Sequence, residues 1–186
     1  MDEIELIKLA QKGDIHAFEK LIDKIKHEIY SFAYLKLQDV ASAEDITQET
    51  IITIYKKINS YNFKGKFSNW VYKIAYNTLR KLAEKFKTQN SVDEELENLE
   101  LLDSRDIENL EEKITQEQIL EKLTKIISKL PQNYQEVLIL YDIQGKKYEE
   151  IAEILDINIG TVKSRLFNAR KMLKELCEKN GILNSL

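Results

Sequence analysis

Proline and cysteine occur once each in this 186-residue chain, and glycine only five times. So few turn-formers argue against a hairpin-rich sheet protein, whose tight turns draw on glycine and proline. The single Cys177 cannot form an intramolecular disulfide, and an intracellular setting fits. His16 and His27 are the only histidines, and with one cysteine they make a poor ligand set that matches no zinc spacing. No stretch approaches the roughly 18 apolar residues of a membrane span. The start, Met1-Asp2-Glu3-Ile4-Glu5, is acidic and lacks the basic-then-apolar layout of a signal peptide. A phosphate-binding glycine loop and a nucleophile elbow are missing as well. The expectation is a soluble, cytoplasmic protein with no membrane insertion, no catalytic or metal-binding residues and no cofactor.

What the chain does have is helical periodicity. Apolar residues recur at helical spacing near Ile4 to Gln11, Ala17 to Leu37, Ser42 to Ile58, Ser68 to Lys87, Thr115 to Ser128 and Asn133 to Ile143. Gly13-Asp14 marks a break and a cap, Ser42 with Asp45 three residues on reads as a capping pair, and Pro131 stands where a helix begins. The pattern predicts an all-α fold. Charge divides it in two. Thr88 to Glu112 carries ten acids against Arg105 alone, a net of −9, which leaves +5 elsewhere in a chain of formal charge −4. Such a run reads as a flexible, solvated linker. The expected organisation is two small helical domains, 1–87 and 114–186, joined by an acidic connector over 88–113. Each half is long enough for one modest core.

The most informative stretch is Tyr148 to Leu176. Ile151, Ala152, Ile154 and Leu155 define one helix, the turn Asp156-Ile157-Asn158-Ile159-Gly160 interrupts it, and Thr161 is placed to cap another. In the second helix Val162, Leu166, Ala169, Leu173 and Leu176 follow four-three-four-three spacing, one buried stripe. A helix-turn-helix lays such a helix in the DNA major groove; the plainer reading is a helical hairpin buried in a bundle. Ser164 and Lys171 fall opposite the stripe, Phe167 and Asn168 on its shoulders, and Lys163 and Lys174 farther round. Lysine can reach guanine or phosphate, asparagine suits adenine, and phenylalanine can touch a thymine methyl. Arg165 and Arg170 sit nearer the buried edge, placed to grip the DNA backbone or to pair with an acid.

The words around this unit carry a resemblance. Leu130-Pro131-Gln132-Asn133-Tyr134-Gln135-Glu136-Val137, Tyr148-Glu149-Glu150-Ile151-Ala152 and Gly160-Thr161-Val162-Lys163-Ser164-Arg165-Leu166 resemble region four of bacterial RNA polymerase sigma factors of the extracytoplasmic-function (ECF) group. Ser42-Ala43-Glu44-Asp45-Ile46-Thr47-Gln48-Glu49-Thr50 resembles a signature of region two. Tyr61 to Asn77, YNFKGKFSNWVYKIAYN, resembles the same region's F-x-x-W-hydrophobic-x-x-I-A-x-N pattern. Departures are Asp156 where the family usually has glycine, Asn168 where arginine is common, and Lys81, Glu84 and Lys85 where an acid and paired arginines are usual.

The resemblance implies a sigma subunit that binds core RNA polymerase and directs promoter recognition, melting and initiation. Region two would hold the beta-prime clamp helices through Asp45, Gln48, Glu49 and Ile52, which share a helical face. It would hold the opened minus-ten strand through Asn62, Lys64, Lys66, Lys73, Asn77 and Arg80. Lysines interleaved with aromatics suit that task, because an opened strand offers flat bases and charged phosphates; Tyr61 to Phe67 forms a loop able to hold a flipped base. Phe67, Trp70 and Ile74 read rather as core. Region four would bind the beta flap and read the minus-thirty-five duplex through Thr161, Lys163, Ser164, Arg165, Phe167, Asn168 and Lys171. An anti-sigma protein is a partner that the resemblance admits, though no residue identifies it. Two other readings use parts of the same pattern: a stand-alone helix-turn-helix regulator, which needs only the second half, and a sigma-like decoy that binds without initiating.

Overall fold

The computed structural model describes residues 2–89 and 116–180. Among them are eight α-helices and no strand: α1 (Glu3–Gln11), α2 (Ile15–Leu37), α3 (Val40–Lys57), α4 (Phe67–Gln89), α5 (Gln116–Ser128), α6 (Gln132–Leu138), α7 (Tyr148–Leu155) and α8 (Ile159–Lys179). A 3₁₀ turn follows α3 at Ile58–Ser60, and a π-helical turn, Ile139–Ile143, continues α6. The acidic segment expected to be a linker lies outside the described residues from 90 to 115; α4 reaches two residues into it.

Short side chains with an oxygen acceptor start four of these helices. The carboxylates of Asp2, Asp14 and Asp39 accept from the amides of Glu5, Ala17 and Ser42, and the Asn158 side chain accepts from Thr161 N at 2.7 Å. Each satisfies an amide that the helix leaves unpaired, for about 1 kcal/mol. Two expected caps therefore shift by three residues. Ser42 lies inside α3, whose cap is Asp39, and Thr161 lies inside α8, whose cap is Asn158. In both cases the helix begins about one turn earlier than the hydroxyl marks, at a residue whose side-chain oxygen accepts from the amide three positions on. Asp156 ends α7 in the left-handed conformation (φ 56°), which a short polar side chain tolerates.

α1 to α4 wrap around Leu6, Ile7, Leu21, Ile29, Phe32, Ile54, Val71 and Tyr72, and α5 to α8 around Val137, Leu140, Ile151, Ile154, Val162 and Leu166. Residues such as Phe32 and Ile29, wholly removed from water, contribute about 1.5–3 kcal/mol each. Both sets belong to one continuous buried cluster. The halves meet where α4 packs on α7 and α2 on α5 and the π turn.

Polar groups also cross that junction beside the apolar cluster. Lys36 pairs with Glu136 at 2.8 Å, Gln135 Nε2 donates to the Leu35 carbonyl, and the Tyr72 hydroxyl lies 2.6 Å from Gln144 Oε1 and 3.2 Å from Glu28 Oε2. Burial, reinforced by Glu28, pushes the Tyr72 pKa up and keeps the phenol protonated. The π turn brings Gln144 to this position; its amide closes on the Ile139 carbonyl at 2.9 Å, five residues back.

Candidate nucleic-acid interface

α8 divides as its apolar spacing predicts. Val162, Leu166 and Ala169 are buried, Leu173 and Leu176 half-buried, and Lys163, Ser164, Phe167, Asn168 and Lys171 exposed together. Phe167 shows 72% of its surface to solvent, the most of any large apolar side chain described. An apolar ring held out among lysines, serine and asparagine makes a face suited to base edges and phosphates. Thr161 stands at its N-terminal end, with its hydroxyl on Asn158 Oδ1 at 2.9 Å.

The two arginines have other surroundings. Arg170 forms a two-point ion pair with Asp142, one bond being Nε to Oδ2 at 3.1 Å, and its guanidinium lies 5.1 Å from the Tyr141 ring centre. That pair, with burial opposing, raises the arginine's pKa still further. Arg165 is half-buried and lines a cavity between the halves with Tyr76, Arg80, Gln132, Asn133 and Glu136, away from the outer face of α8. Sequence reasoning missed the stacked Tyr141 and Tyr148 rings, 4.9 Å apart, with Lys163 Nζ 5.7 Å from the Tyr148 ring centre. Helical spacing could not announce the pair, because Tyr141 sits in the π turn and Tyr148 opens α7.

In the first half, Tyr61 anchors the loop that precedes α4. Its buried ring packs with Phe63, Phe67 and Trp70 at 5.2–5.5 Å, and its hydroxyl donates to the Gly65 carbonyl at 2.9 Å. Phe67 and Ile74 are core residues and Trp70 is half-buried, as their spacing suggested. Asn62, Lys64 and Lys66 are exposed around this anchor, with Asn62 Oδ1 accepting from Lys64 N at 3.1 Å in a tight turn. Lys73, Asn77 and Arg80 lie at helical spacing on α4, the first half-buried and the others exposed; Arg80 pairs with Glu84 at 3.2 Å. Two residues of α1 join the loop unannounced by any motif. Gln11 Nε2 donates to the carbonyls of Ile58 and Tyr61, each at 2.9 Å, and Lys8 Nζ lies 6.0 Å from the Phe63 ring centre.

On α3, Asp45, Gln48, Glu49 and Ile52 are all exposed. Tyr55, which the motif reading passed over, extends this face: it is half exposed and meets the Phe18 ring edge-on at 5.1 Å. Two carboxylates, an amide and two apolar groups thus lie exposed in a row along α3. Among the described residues no group of three or more His, Cys, Asp or Glu is placed to hold a metal ion, and no helix is long and apolar enough to cross a membrane. Cys177 is buried, and that burial pushes its thiol pKa up.

The chain thus presents an outward basic helix, a lysine-rich aromatic loop and an exposed acidic row on an all-α frame, the surfaces of a DNA-binding protein. Residues 21–87 match the model of Sigma-70 region 2 and residues 120–173 that of Sigma-70, region 4. The ECF RNA polymerase sigma factor SigW of Bacillus subtilis is 34% identical over 174 residues, covering 91% of this chain and 93% of its own. The ECF sigma-E factor of Escherichia coli K12 is 31% identical over 175 residues, covering 90% of each. The fold is that of CnrH, solved with the cytosolic domain of CnrY (TM-score 0.70, 20% identity, 96% and 97% of the two chains). It is likewise that of RpoE solved with the anti-sigma factor NepR from Bartonella quintana (TM-score 0.70, 24% identity, 88% and 98%). The chain belongs to the ECF group of sigma-70-like RNA polymerase sigma factors, the subunits that direct core polymerase to promoters and initiate transcription. The region 2 match leaves the stand-alone regulator without support.

Proposed function

We propose that the three surfaces divide the labour of initiation. The α3 face of Asp45, Gln48, Glu49 and Ile52 docks on the beta-prime clamp helices. The loop residues Asn62, Lys64 and Lys66, with Lys73, Asn77 and Arg80 of α4, hold the opened minus-ten strand. Thr161, Lys163, Ser164, Phe167, Asn168 and Lys171 read the minus-thirty-five duplex, with region four on the beta flap. Arg165 completes that set by gripping the backbone once the halves separate. Domains of 1–87 and 114–186 joined by an acidic connector suit this division, because two promoter elements on one duplex demand two reading heads at variable separation. The observation that carries the reading is the outer face of α8, where Phe167 and Asn168 stand exposed between Lys163 and Lys171 while Leu166 and Ala169 are buried.

The polymerase supplies the nucleotide chemistry, so the protein acts without a cofactor or an active site of its own, in the cytoplasm where polymerase and promoters are. An anti-sigma protein that covers these surfaces is the expected regulator. Run-off transcription with purified core polymerase and pooled genomic promoter fragments tests the reading. New transcripts on addition of the protein support it, and their upstream sequences give both elements. Tight core binding without transcripts would overturn it in favour of a decoy.

A further inference from the structure

The strand-holding loop is already occupied. Across the junction, α7 turns an acidic face towards it: Glu150 Oε1 lies 2.8 Å from Lys66 Nζ, and Glu153 Oε2 accepts from Asn69 Nδ2 at 3.3 Å. The Glu153 carboxylate also lies over Gly65, so close that a Cβ built there would meet Oε1 at 3.3 Å. Tyr61, the loop's anchor, feels Glu153 as well: burial first, then Glu3 and Glu153, push its pKa up. Phosphate oxygens offer these two donors the same kind of partner. A lysine ammonium accepts a carboxylate or a phosphate oxygen as a point-charge partner, and an asparagine amide donates to either.

We propose that the acidic face of α7 is an internal ligand of region two: Glu150 and Glu153 take the places of strand phosphates on Lys66 and Asn69, so region four and single-stranded DNA compete for one surface. This rests on the assignment of the loop to strand binding. The rest of the junction makes the exchange feasible. Beside the apolar cluster that runs through it, the junction carries polar contacts, and a buried pair such as Lys36–Glu136 yields little net stability after desolvation. Lys66 keeps 68% of its side chain in solvent, so its pair with Glu150 is a weak one. Asn69 Oδ1 is buried without a hydrogen-bond partner, a cost that water relieves on opening. A ligand that binds only the open arrangement shifts the population by its differential affinity alone; an incoming strand is such a ligand, as is polymerase if it holds the two halves apart.

The full-length chain tests this, with spin labels at Lys20→Cys and Lys174→Cys on a Cys177→Ala background and a randomised single-stranded DNA pool as probe. Adding the pool to the otherwise wild-type chain should lengthen the label separation. Glu150→Gln/Glu153→Gln keeps acceptors at both positions, including the glutamine a capping box accepts, and should bind the pool several-fold more tightly with labels already apart. Strand bound with unchanged separation and equal affinity in both proteins would overturn the competition and leave the strand-holding assignment standing. Labels apart in the variant but no strand bound by either protein would overturn that assignment, and the competition with it.

Discussion

Lys36 Nζ of α2 stands 2.8 Å from Glu136 Oε1 of α6, with 7% and 4% of the two side chains exposed, one hundred residues apart in sequence. Gln132 Nε2 is the other donor to that oxygen, at 3.1 Å. Burial pulls the Lys36 pKa below its ordinary value, and Glu136 only partly restores it. For Lys36, then, burial outweighs what its partner returns.

From that balance follows an asymmetry. Breaking a buried pair from one side costs about 3–5 kcal/mol where the survivor stays buried. Here the survivor can escape by opening the junction. Lys36→Met should therefore lower global unfolding stability by less than that range while separating the halves. Lys36→Met/Glu136→Met should close them again, because an apolar pair carries no desolvation cost. Denaturant unfolding with label distances on the three variants checks this. An open double variant would mean that the ion pair itself holds the junction.

Glu150 gives the closed state a dependence on acid. Burial pushes its carboxyl up, but hydrogen bonds from Lys66 and the Lys147 amide, with the charges of Lys66 and Lys146, hold it below the ordinary carboxylate value. A depressed folded value contributes stability that is present above the unfolded pKa and is lost as pH falls through the folded one. The junction should thus loosen only below about pH 4 and be insensitive to pH near neutrality. Lys66→Gln removes the largest lowering influence, so the Glu150 titration followed by carboxyl-carbon NMR should move up. A titration unmoved by that change would detach Glu150 from Lys66 in solution.

The outer face of α8 predicts two kinds of defect. Lys163→Ala/Lys171→Ala removes two cations and should weaken duplex binding across sequences. The slope of log affinity against log salt should become shallower by about 1.8, roughly 0.9 for each phosphate no longer neutralised. Asn168→Ala should instead cost about 1–3 kcal/mol at one base pair and relax preference there. Binding isotherms on promoter duplexes at several salt concentrations separate the two. Full promoter affinity in the lysine double variant would move the reading face elsewhere on the helix.

The helices, the buried stripe of α8 and the exposed row on α3 were legible because each is set by spacing within one segment. The caps were legible only in type. Asp39 and Asn158 each lie three residues before Ser42 and Thr161, and a hydroxyl on the following turn looks as plausible in a string of letters. The junction was not legible at all. Gln135 and Glu136 are buried polar residues, and their partners in α2 are a hundred positions away. No local period reports such a pairing. Arg165 and Arg170 lie between these cases: their edge position was evident, but Asp142 as the partner of Arg170 required the π turn.

Gln11 makes a last test, because no motif includes it and yet it braces the loop. One amide nitrogen donates to both the Ile58 and Tyr61 carbonyls, fixing the 3₁₀ turn from which the loop departs. Gln11→Leu leaves two carbonyls to find water, at about 1 kcal/mol each, and frees the loop to sample other turns. The proposed docking face on α3 and the proposed reading face on α8 do not depend on this brace. Core polymerase affinity and duplex binding should therefore hold, while promoter opening slows on a closed template and recovers on a pre-melted one. Permanganate footprinting of unpaired thymines beside a core-binding titration distinguishes these outcomes. Parallel loss of core binding and opening would make Gln11 a general stabiliser of the helical bundle rather than a brace for strand capture.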